Sequence, residues 1–461
     1  AEALVRLGAA PTLPEMNAAW LMIEDRSDVL EGPDWIASEA TMARHYEEAG
    51  LADKAAAYHL WAVRRIVYLS LGFDEAMVHA AQALSLLRTV ADTPSRLRWA
   101  YLACHILAWL EGLTVTWVAP QAGRTWLQAL ALAERSGDRF FTAHALVFLS
   151  IYHRARADLD SAASAAERAV SLAQGGLPDW VLWVESALAG VLQLRGEFAR
   201  AARLLAPLGD ALLHSRSIPP PPLNAENVAL LPRVLWCLGY PDRAMEVACA
   251  LQTYMLERHE YQFGTRAAVL LNAVAMPHQL RGEVEALERD LQVLRPLVEE
   301  KRCFPLAVPQ VAMLEGWLHT HRGAMEQGLA EMRAGLSALS RMQIRMRPHY
   351  KGLIAEALGR AGRAREGLVY VESALKQVER TNERWYEAEL HRLKGEFLLQ
   401  QGDDPEEVES CYRRAIAVAR EQEAKSWELR AAISLARLLR EQARHAEARE
   451  MLSVRSEERR V

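Results

Sequence analysis

The amino-acid sequence predicts an all-α, right-handed superhelix (an α-solenoid) of about ten antiparallel helix pairs, and two observations support this prediction. Ala, Leu, Arg and Glu, all strong helix formers, dominate a chain of 461 residues that is 51% apolar and 25% charged. Small and apolar residues also recur with a period of about 40 residues. Such a period is typical of stacked helical hairpins, because no single hairpin can bury its apolar face alone.

The repeat is recognised by its turn. In LKGEFLLQQGDDPEEVESCYRRAIA, Gly402 is followed by Val408, Tyr412 and Ala415, whose spacing of four and three residues puts them on one helix face. Glycine ends the first helix at little steric cost, and small residues let the second helix pack closely against it. Equivalent turn positions, which we call the turn anchors, are Ala157, Gly196, Gly239, Gly282, Gly323, Gly362, Gly402 and Ala443.

The repeat register divides the chain into four segments. Residues 1–32 lack the register and are predicted to be a cap or a linker remnant. Residues 33–137 form irregular helical repeats, and 138–452 form regular repeats, interrupted at 216–224 by a proline-rich loop that cannot continue a helix. The polar end, 453–461, is predicted to be a frayed tail.

Charge, hydropathy and cysteine usage exclude several classes of protein. The net charge of −5 gives no field that favours nucleic acid or an anionic membrane. No apolar run approaches the roughly 18 residues of a membrane span, and the N-terminus lacks the pattern of a signal peptide. The dispersed cysteines, without a C-x-x-C motif, are typical of reduced thiols in a cytoplasmic protein. They are Cys104, Cys237, Cys249, Cys303 and Cys411.

Two segments near the C-terminus carry a family resemblance. RWYEAELHRLKGEFLLQQG (384–402) and AKSWELRAAISLARLLREQARHAEAREML (424–452) resemble the last repeats of large bacterial signalling proteins. In that family a class III adenylate/guanylate cyclase domain or a DNA-binding domain precedes a STAND-type AAA ATPase, and a tetratricopeptide-like (TPR) superhelix follows. The resemblance implies a TPR-like fold and a bacterial regulatory module. No cyclase or ATPase sequence is present, so no catalytic residue is implied.

A search for motifs that support chemistry predicts no enzyme. The chain has no G-x-x-x-x-G-K-[ST], no G-x-S-x-G and no H-E-x-x-H. His319 and His321 lie two residues apart, which directs their rings to nearly opposite helix faces and disfavours a metal site. We therefore expect no catalytic residue, no cofactor and no metal.

One basic run is a candidate anion contact. RMQIRMRPHYK contains four cations and no acidic residue, and it crosses a junction between two helices. It could hold a phosphate or an acidic partner segment, or it could be a solvated loop. The cations are Arg341, Arg345, Arg347 and Lys351.

The TPR resemblance implies where a partner would bind. Helical solenoids bind on their concave surface, which is lined mainly by the first helix of each pair. A mixture of polar and aromatic side chains there suits an extended peptide or a small polar ligand. The candidate groove residues are Glu226, Arg233, Trp236, Asn272, Gln279, Gln310, Trp317, His349, Glu389 and Arg392.

These observations predict a non-catalytic protein-interaction and sensing scaffold. Its groove would bind a peptide or partner segment and so regulate an associated ATPase, cyclase or transcription-regulator domain, provided that the ligand prefers one conformation. One alternative is a small-molecule inducer receptor of the kind found in maltose-type transcription activators, which is an analogy at the level of fold. Another is a fragment of a nucleotide cyclase or ATPase whose catalytic domains lie outside this chain.

Overall fold

The structure, a computed structural model, is helical throughout the residues that it describes, as the sequence predicts. No strand occurs in those residues. The predicted cap at 1–32 and the proline-rich loop at 216–224 lie outside them. The described ranges are 34–68, 72–114, 118–215, 227–257, 263–299, 307–342 and 346–458.

Within each described range, short turns connect successive helices, as the hairpin prediction requires. In the first part of the chain they are α1 (Asp34–Glu48), α2 (Ala52–Tyr68), α3 (Phe73–Leu87), α4 (Pro94–Thr114), α5 (Pro120–Ser136), α6 (Arg139–Ala155), α7 (Leu159–Ala173), α8 (Pro178–Arg195) and α9 (Phe198–Ser215).

The second part continues with α10 (Leu231–Cys237), α11 (Pro241–Glu257), α12 (Phe263–Leu270), α13 (Met276–Arg281), α14 (Val284–Glu299), α15 (Ala307–His321), α16 (Met325–Arg341), α17 (Arg347–Arg360), α18 (Ala364–Thr381), α19 (Glu387–Gln401), α20 (Pro405–Glu421), α21 (Lys425–Glu441) and α22 (His445–Glu458). A π-helical segment, Leu271–Ala275, joins α12 to α13. The helix widens there because Pro277 has no backbone N–H to donate and its ring would crowd the preceding turn.

The chain forms two compact units. Unit 1 comprises the described residues up to Tyr152 together with Ser164–Val184, and unit 2 comprises His153–Ala163 and the described residues from Glu185 onward.

Aromatic and histidine side chains fill the interior of unit 1. Tyr101, His105, Trp126 and Phe148 are all buried, and the ring centroids of Trp126 and Phe148 stack 5.1 Å apart. A hydrogen bond of 2.5 Å joins the Tyr101 hydroxyl to Nδ1 of His144. Burial lowers the pKa of His144 to about 3, so this ring is neutral at physiological pH.

The turn anchors confirm the repeat. All eight have a positive φ, from 59° at Ala157 and Ala443 to 92° at Gly239. A left-handed residue is the usual end of a helix, and glycine adopts this conformation without the steric penalty of a Cβ atom.

Small residues bring the two helices of a pair into backbone contact. A Cβ atom added to Gly328 of α16 would lie 2.3 Å from the carbonyl oxygen of Gly316 in α15. Gly328 follows the Gly323 anchor by five residues. The next two small or apolar positions of the repeat, Met332 and Gly335, are buried as the pattern predicts.

Ion pairs connect the turn of one helix pair to the second helix of the preceding pair in unit 2. Arg322 reaches Glu288 at 2.6 Å across 34 positions of sequence, and Arg444 reaches Glu409 at 2.6 Å across 35. The exposed pair Arg322–Glu288 contributes only about 0–1 kcal/mol, so it follows the stacking of the repeats rather than causes it.

Candidate functional site

Most of the predicted groove residues in unit 2 are buried. Exposure is 1% for Arg233, 0% for His349 and 3% for Glu389. The buried members are Arg233, Trp236, Gln279, Trp317, His349 and Glu389, the partly exposed members are Asn272, Gln310 and Arg392, and Glu226 lies outside the described residues. We call the face that the sequence predicts to be a concave groove, to which these residues belong, the inner face.

Arg233 is a buried cation on this inner face. Its guanidinium donates to Oε1 of Gln193 at 2.7 Å and contacts Sδ of Met276 at 3.0 Å. The same guanidinium lies 5.0 Å from the ring centroid of Trp385, which is a cation–π distance. These contacts hold a positive charge in the interior of unit 2.

His349 lies beside Arg233 within an aromatic cluster. Its ring centroid is 4.9 Å from that of Trp385 and 4.8 Å from that of Tyr386. Neither ring nitrogen has a hydrogen-bond partner among the described residues. Burial, with a further contribution from the charge of Arg233, lowers the pKa of His349 to about 3. The ring is therefore neutral at physiological pH and offers a donor and an acceptor that no described group uses.

Arg430 of α21 is a second cation held by aromatic rings. Its guanidinium lies 5.2 Å from the ring centroids of both Trp236 and Trp427, and it forms an ion pair of 3.2 Å with Glu389. Unlike Arg233, this side chain is 37% exposed. The cage of Trp236, Trp427 and Glu389 thus encloses a cation that solvent still reaches.

Glu389 also belongs to a carboxylate network along α19. Arg392 donates to both of its oxygens at 2.9 Å and to Glu396 at 3.1 Å, and the Ser434 hydroxyl donates to Glu396 at 2.7 Å. Burial opposes the ionisation of Glu389, but the charges of Arg392 and Arg430 outweigh it, and its pKa lies below the ordinary value. Glu389 is therefore an ionised acceptor on the inner face.

Donors from the C-terminal repeats cap the ends of three helices that precede them by many repeats. The accepting carbonyls all lie in the last turn of a helix, where carbonyls lack the usual helical partner. Leu194 of α8 accepts from the backbone N–H groups of Arg384 at 2.9 Å and Trp385 at 3.1 Å, Trp236 of α10 accepts from the Ser426 hydroxyl at 2.5 Å, and Leu280 of α13 accepts from the Arg430 guanidinium. We call these contacts the inner caps. The Trp236 carbonyl also accepts from the backbone N–H of Gly239 at 3.0 Å.

Two turn anchors lie where these repeats meet. A Cβ atom on Gly196 would be 2.5 Å from Nε2 of Gln422, and one on Gly239 would be 2.8 Å from Cβ of Lys425. Both glycines thus serve two needs: a positive φ and a close approach to the C-terminal repeats.

The remaining predicted groove residues are held by local contacts. Asn272 donates to the carbonyl oxygen of Ala268, one turn earlier in the same helix, at 2.8 Å. The Trp317 ring stacks on His321 with 3.7 Å between centroids. A hydrogen bond of 2.6 Å joins Nδ1 of His319 to Oε2 of Glu331. Within the described residues, no group of three His, Cys, Asp or Glu side chains could hold a metal ion.

The predicted anion contacts separate into two places. Arg341 is exposed at the end of α16 and donates to Ser337 at 2.9 Å, and Arg345 lies outside the described residues. Arg347 and Lys351 are partly buried and lie one turn apart on α17.

Sequence reasoning missed Trp385, Trp427, Gln193 and Arg430. The two tryptophans are 42 residues apart, and Nε1 of Trp427 donates to the Trp385 carbonyl at 3.2 Å. This spacing matches the repeat period, so a comparison of equivalent positions could have found the pair. Ser426 and Arg430 contact residues 190 and 150 positions away, which a period of about 40 does not predict.

Comparison with known proteins identifies the fold. No model of a known protein family matches the sequence. An uncharacterized protein of Rhizobium meliloti (strain 1021) is 29% identical over 130 residues, which are 28% of this chain and 13% of that protein. The chain therefore matches only a small part of this curated relative.

Two solved structures are similar to the chain. The Rap protein complexed with competence and sporulation factor has a TM-score of 0.59 and 11% identity, over 80% of this chain and 99% of that one. The human IFIT1 dimer with PPP-AAAA has a TM-score of 0.40 and 14% identity, over 92% and 95%. The likeness to the Rap protein confirms an all-α, TPR-like solenoid. Among the described helices, none has the length and apolar character needed to cross a membrane.

Proposed function

We propose that this chain is a non-catalytic interaction and sensing scaffold whose inner face in unit 2 binds a cationic segment of a partner. The observation on which this rests is the set of inner caps. Backbone N–H groups, a hydroxyl and an arginine of the chain itself occupy carbonyls, tryptophan faces and a carboxylate. An extended peptide with an arginine or lysine side chain offers the same donors.

Unused acceptors on the same face favour this chemistry. Oε1 of Gln279 is buried and has no hydrogen-bond partner among the described residues, and it lies next to Leu280, whose carbonyl accepts from Arg430. A ligand that donates to Gln279 therefore gains a bond that the closed structure lacks.

Binding is coupled to opening in this proposal. The inner caps hold unit 2 closed, so a ligand must prefer the open arrangement by more free energy than the caps contribute. Its apparent affinity is reduced by the fraction of molecules that are open. Weakening a cap should therefore strengthen binding, although it removes a contact.

We further propose that the partner is a STAND-type ATPase, a class III cyclase or a transcription regulator in a bacterial cytoplasm. The resemblance of 384–402 and 424–452 to the end of such proteins supports this. The Rap protein structure contains a bound factor, a precedent for ligand binding by this fold. The free thiols of Cys104, Cys237 and Cys411 suit a reducing compartment.

Selection from a random library of extended peptides tests the proposal. We expect the selected peptides to be enriched in arginine or lysine. Ser426→Ala, which removes one inner cap, should bind them about 2- to 10-fold more tightly, the equivalent of one hydrogen bond. Ser340→Ala, an exposed serine on α16, is the matched control and should bind as the wild type does.

Four outcomes would contradict the proposal. Selected peptides without cationic residues, or equal affinities for wild type and Ser426→Ala, would show that the inner caps do not compete with the ligand. Stabilisation by a neutral metabolite, growing with its concentration and without any peptide binding, would favour the inducer-receptor alternative. Saturable ATP turnover by the purified chain would exclude a non-catalytic role.

A further inference from the structure

A cluster of donors lies between α17 and α18. Nζ of Lys351 donates to the Ser373 hydroxyl at 2.9 Å, to the Ser373 carbonyl at 3.3 Å and to Oε1 of Gln377 at 3.1 Å. Because the carbonyl end of the Gln377 amide is bonded to the ammonium, its NH₂ end also lies close to the Lys351 charge.

Two of the donors in this cluster are unused. Nε2 of Gln377, a residue that is only 4% exposed, has no hydrogen-bond partner among the described residues, and neither does the buried Nε of Arg347. Exchanging the oxygen and nitrogen of the Gln377 amide would not give its NH₂ group an acceptor, because the nitrogen would then face the Lys351 ammonium, which is itself a donor. A buried donor without an acceptor costs about 1–3 kcal/mol, and an acceptor supplied from outside would recover it.

Positive charge predominates in the cluster. Arg347, Lys351 and Arg380 act electrostatically on one another, and Glu383 is the carboxylate whose charge acts on Arg347. The charges that act on Arg347 and Lys351 are thus mainly positive. Burial, followed by the charges of Arg347 and Arg380, lowers the pKa of Lys351 to about 8.

We propose that Lys351, Arg347, Arg380 and the Gln377 amide form a binding site for a phosphate-sized oxyanion. Such an ion accepts hydrogen bonds on every oxygen, so it can satisfy the amide and the cations together. Ser373 and Arg380 are exposed, which gives the ion a path from solvent. The site has no residue in common with the inner caps, and it stands whether or not the inner face binds a peptide.

Calorimetric titration with inorganic phosphate, at constant ionic strength set with chloride, tests this site. We expect saturable binding to the wild type and binding at least roughly 10-fold weaker to Lys351→Gln, which removes one positive charge from the site. Lys376→Gln removes an exposed cation from the same helix and should leave the affinity unchanged. Phenyl phosphate and acetate, titrated in parallel, distinguish a phosphate monoester from a carboxylate as the preferred group.

Gln377→Glu gives a second, independent test. It places a carboxylate among the cations, so we expect phosphate binding to be lost while the melting temperature in chloride stays the same or rises. Phosphate binding that survives in Gln377→Glu, or that is equal in Lys351→Gln and Lys376→Gln, would overturn the proposal. So would the absence of saturable binding to the wild type.

Discussion

Single residues at the turn anchors determine where each first helix ends. Six of the eight anchors are glycine, and Ala157 and Ala443 adopt the same left-handed conformation with φ of 59°. A Cβ atom costs about 1–2 kcal/mol in that conformation. These two alanines are therefore strained positions that the rest of the repeat compensates.

Relieving this strain should stabilise the chain. We predict that Ala443→Gly raises the free energy of unfolding by roughly 0.5–1 kcal/mol in a urea titration, because the gain at positive φ exceeds the entropy that glycine adds to the unfolded state. Ala361→Gly is the matched control, since Ala361 also ends a helix but has φ of −80°. Equal effects of the two substitutions would contradict this explanation.

The buried histidine of the inner face predicts a dependence of stability on pH. The pKa of His349 is about 3 in the folded chain and about 6.5 in an unfolded one. Below pH 6.5 the unfolded state therefore binds a proton that the folded state does not. Stability should fall as the pH is lowered from about 6.5 towards 3, by up to about 1.4 kcal/mol per pH unit from this group.

His349→Phe isolates this effect. It keeps an aromatic ring in the cluster and removes the titrating group, so the loss of stability between about pH 6 and pH 5 should become smaller by up to roughly 1.4 kcal/mol. Tyr386→Phe is the control, because burial raises the pKa of Tyr386 well above this range. An unchanged pH slope in His349→Phe would show that the histidine does not titrate as described.

At the scale of helices, close backbone contact within each pair depends on small residues at fixed offsets from the anchor. Gly316 and Gly328 illustrate it, because each occupies the space that the other's Cβ atom would need. Helix propensity alone would favour alanine at both positions by about 1 kcal/mol. Packing outweighs propensity here, since the obstacle is a backbone carbonyl that cannot move aside.

Gly328→Ala should therefore destabilise the chain despite its better helix propensity. We predict a net loss of about 1–3 kcal/mol in a urea titration, as expected for overpacking. Gly209→Ala is the matched control, because its new Cβ atom would meet only the flexible end of Leu231. It should be neutral or slightly stabilising, and a similar loss in both variants would point to another cause.

Local and long-range features differ in how far the sequence predicts them. The turn anchors and the small or apolar residues that follow them, such as Val371, Ala374 and Ala415, recur with the repeat period. Their spacing alone is therefore sufficient to predict where the turns lie and that the residues after them are buried. The inner caps join residues up to 190 positions apart, and nothing in a repeat of about 40 residues specifies how distant repeats meet. Sequence reasoning therefore placed the inner-face residues in an open groove, whereas the structure has most of them buried.

At the largest scale, the C-terminal repeats of unit 2 make the same kinds of contact with the inner face that we propose for a bound peptide. Arg430 is partly exposed between Trp236 and Trp427, while Arg233, deeper on the same face, is fully enclosed. A partner could therefore displace Arg430 without unfolding the repeats. Binding of a partner at this face requires the inner caps to open separately from the helices that carry them.

Hydrogen exchange at the backbone amides of Arg384 and Trp385 tests this requirement most directly, because both donate to Leu194. In the combined variant Ser426→Ala and Arg430→Gln, we predict that these amides exchange roughly 10-fold faster or more, since two capping bonds are lost. The amides within α20 should keep their wild-type rates. Unchanged exchange at Arg384 and Trp385, or equal acceleration throughout α20, would contradict a separately opening inner face.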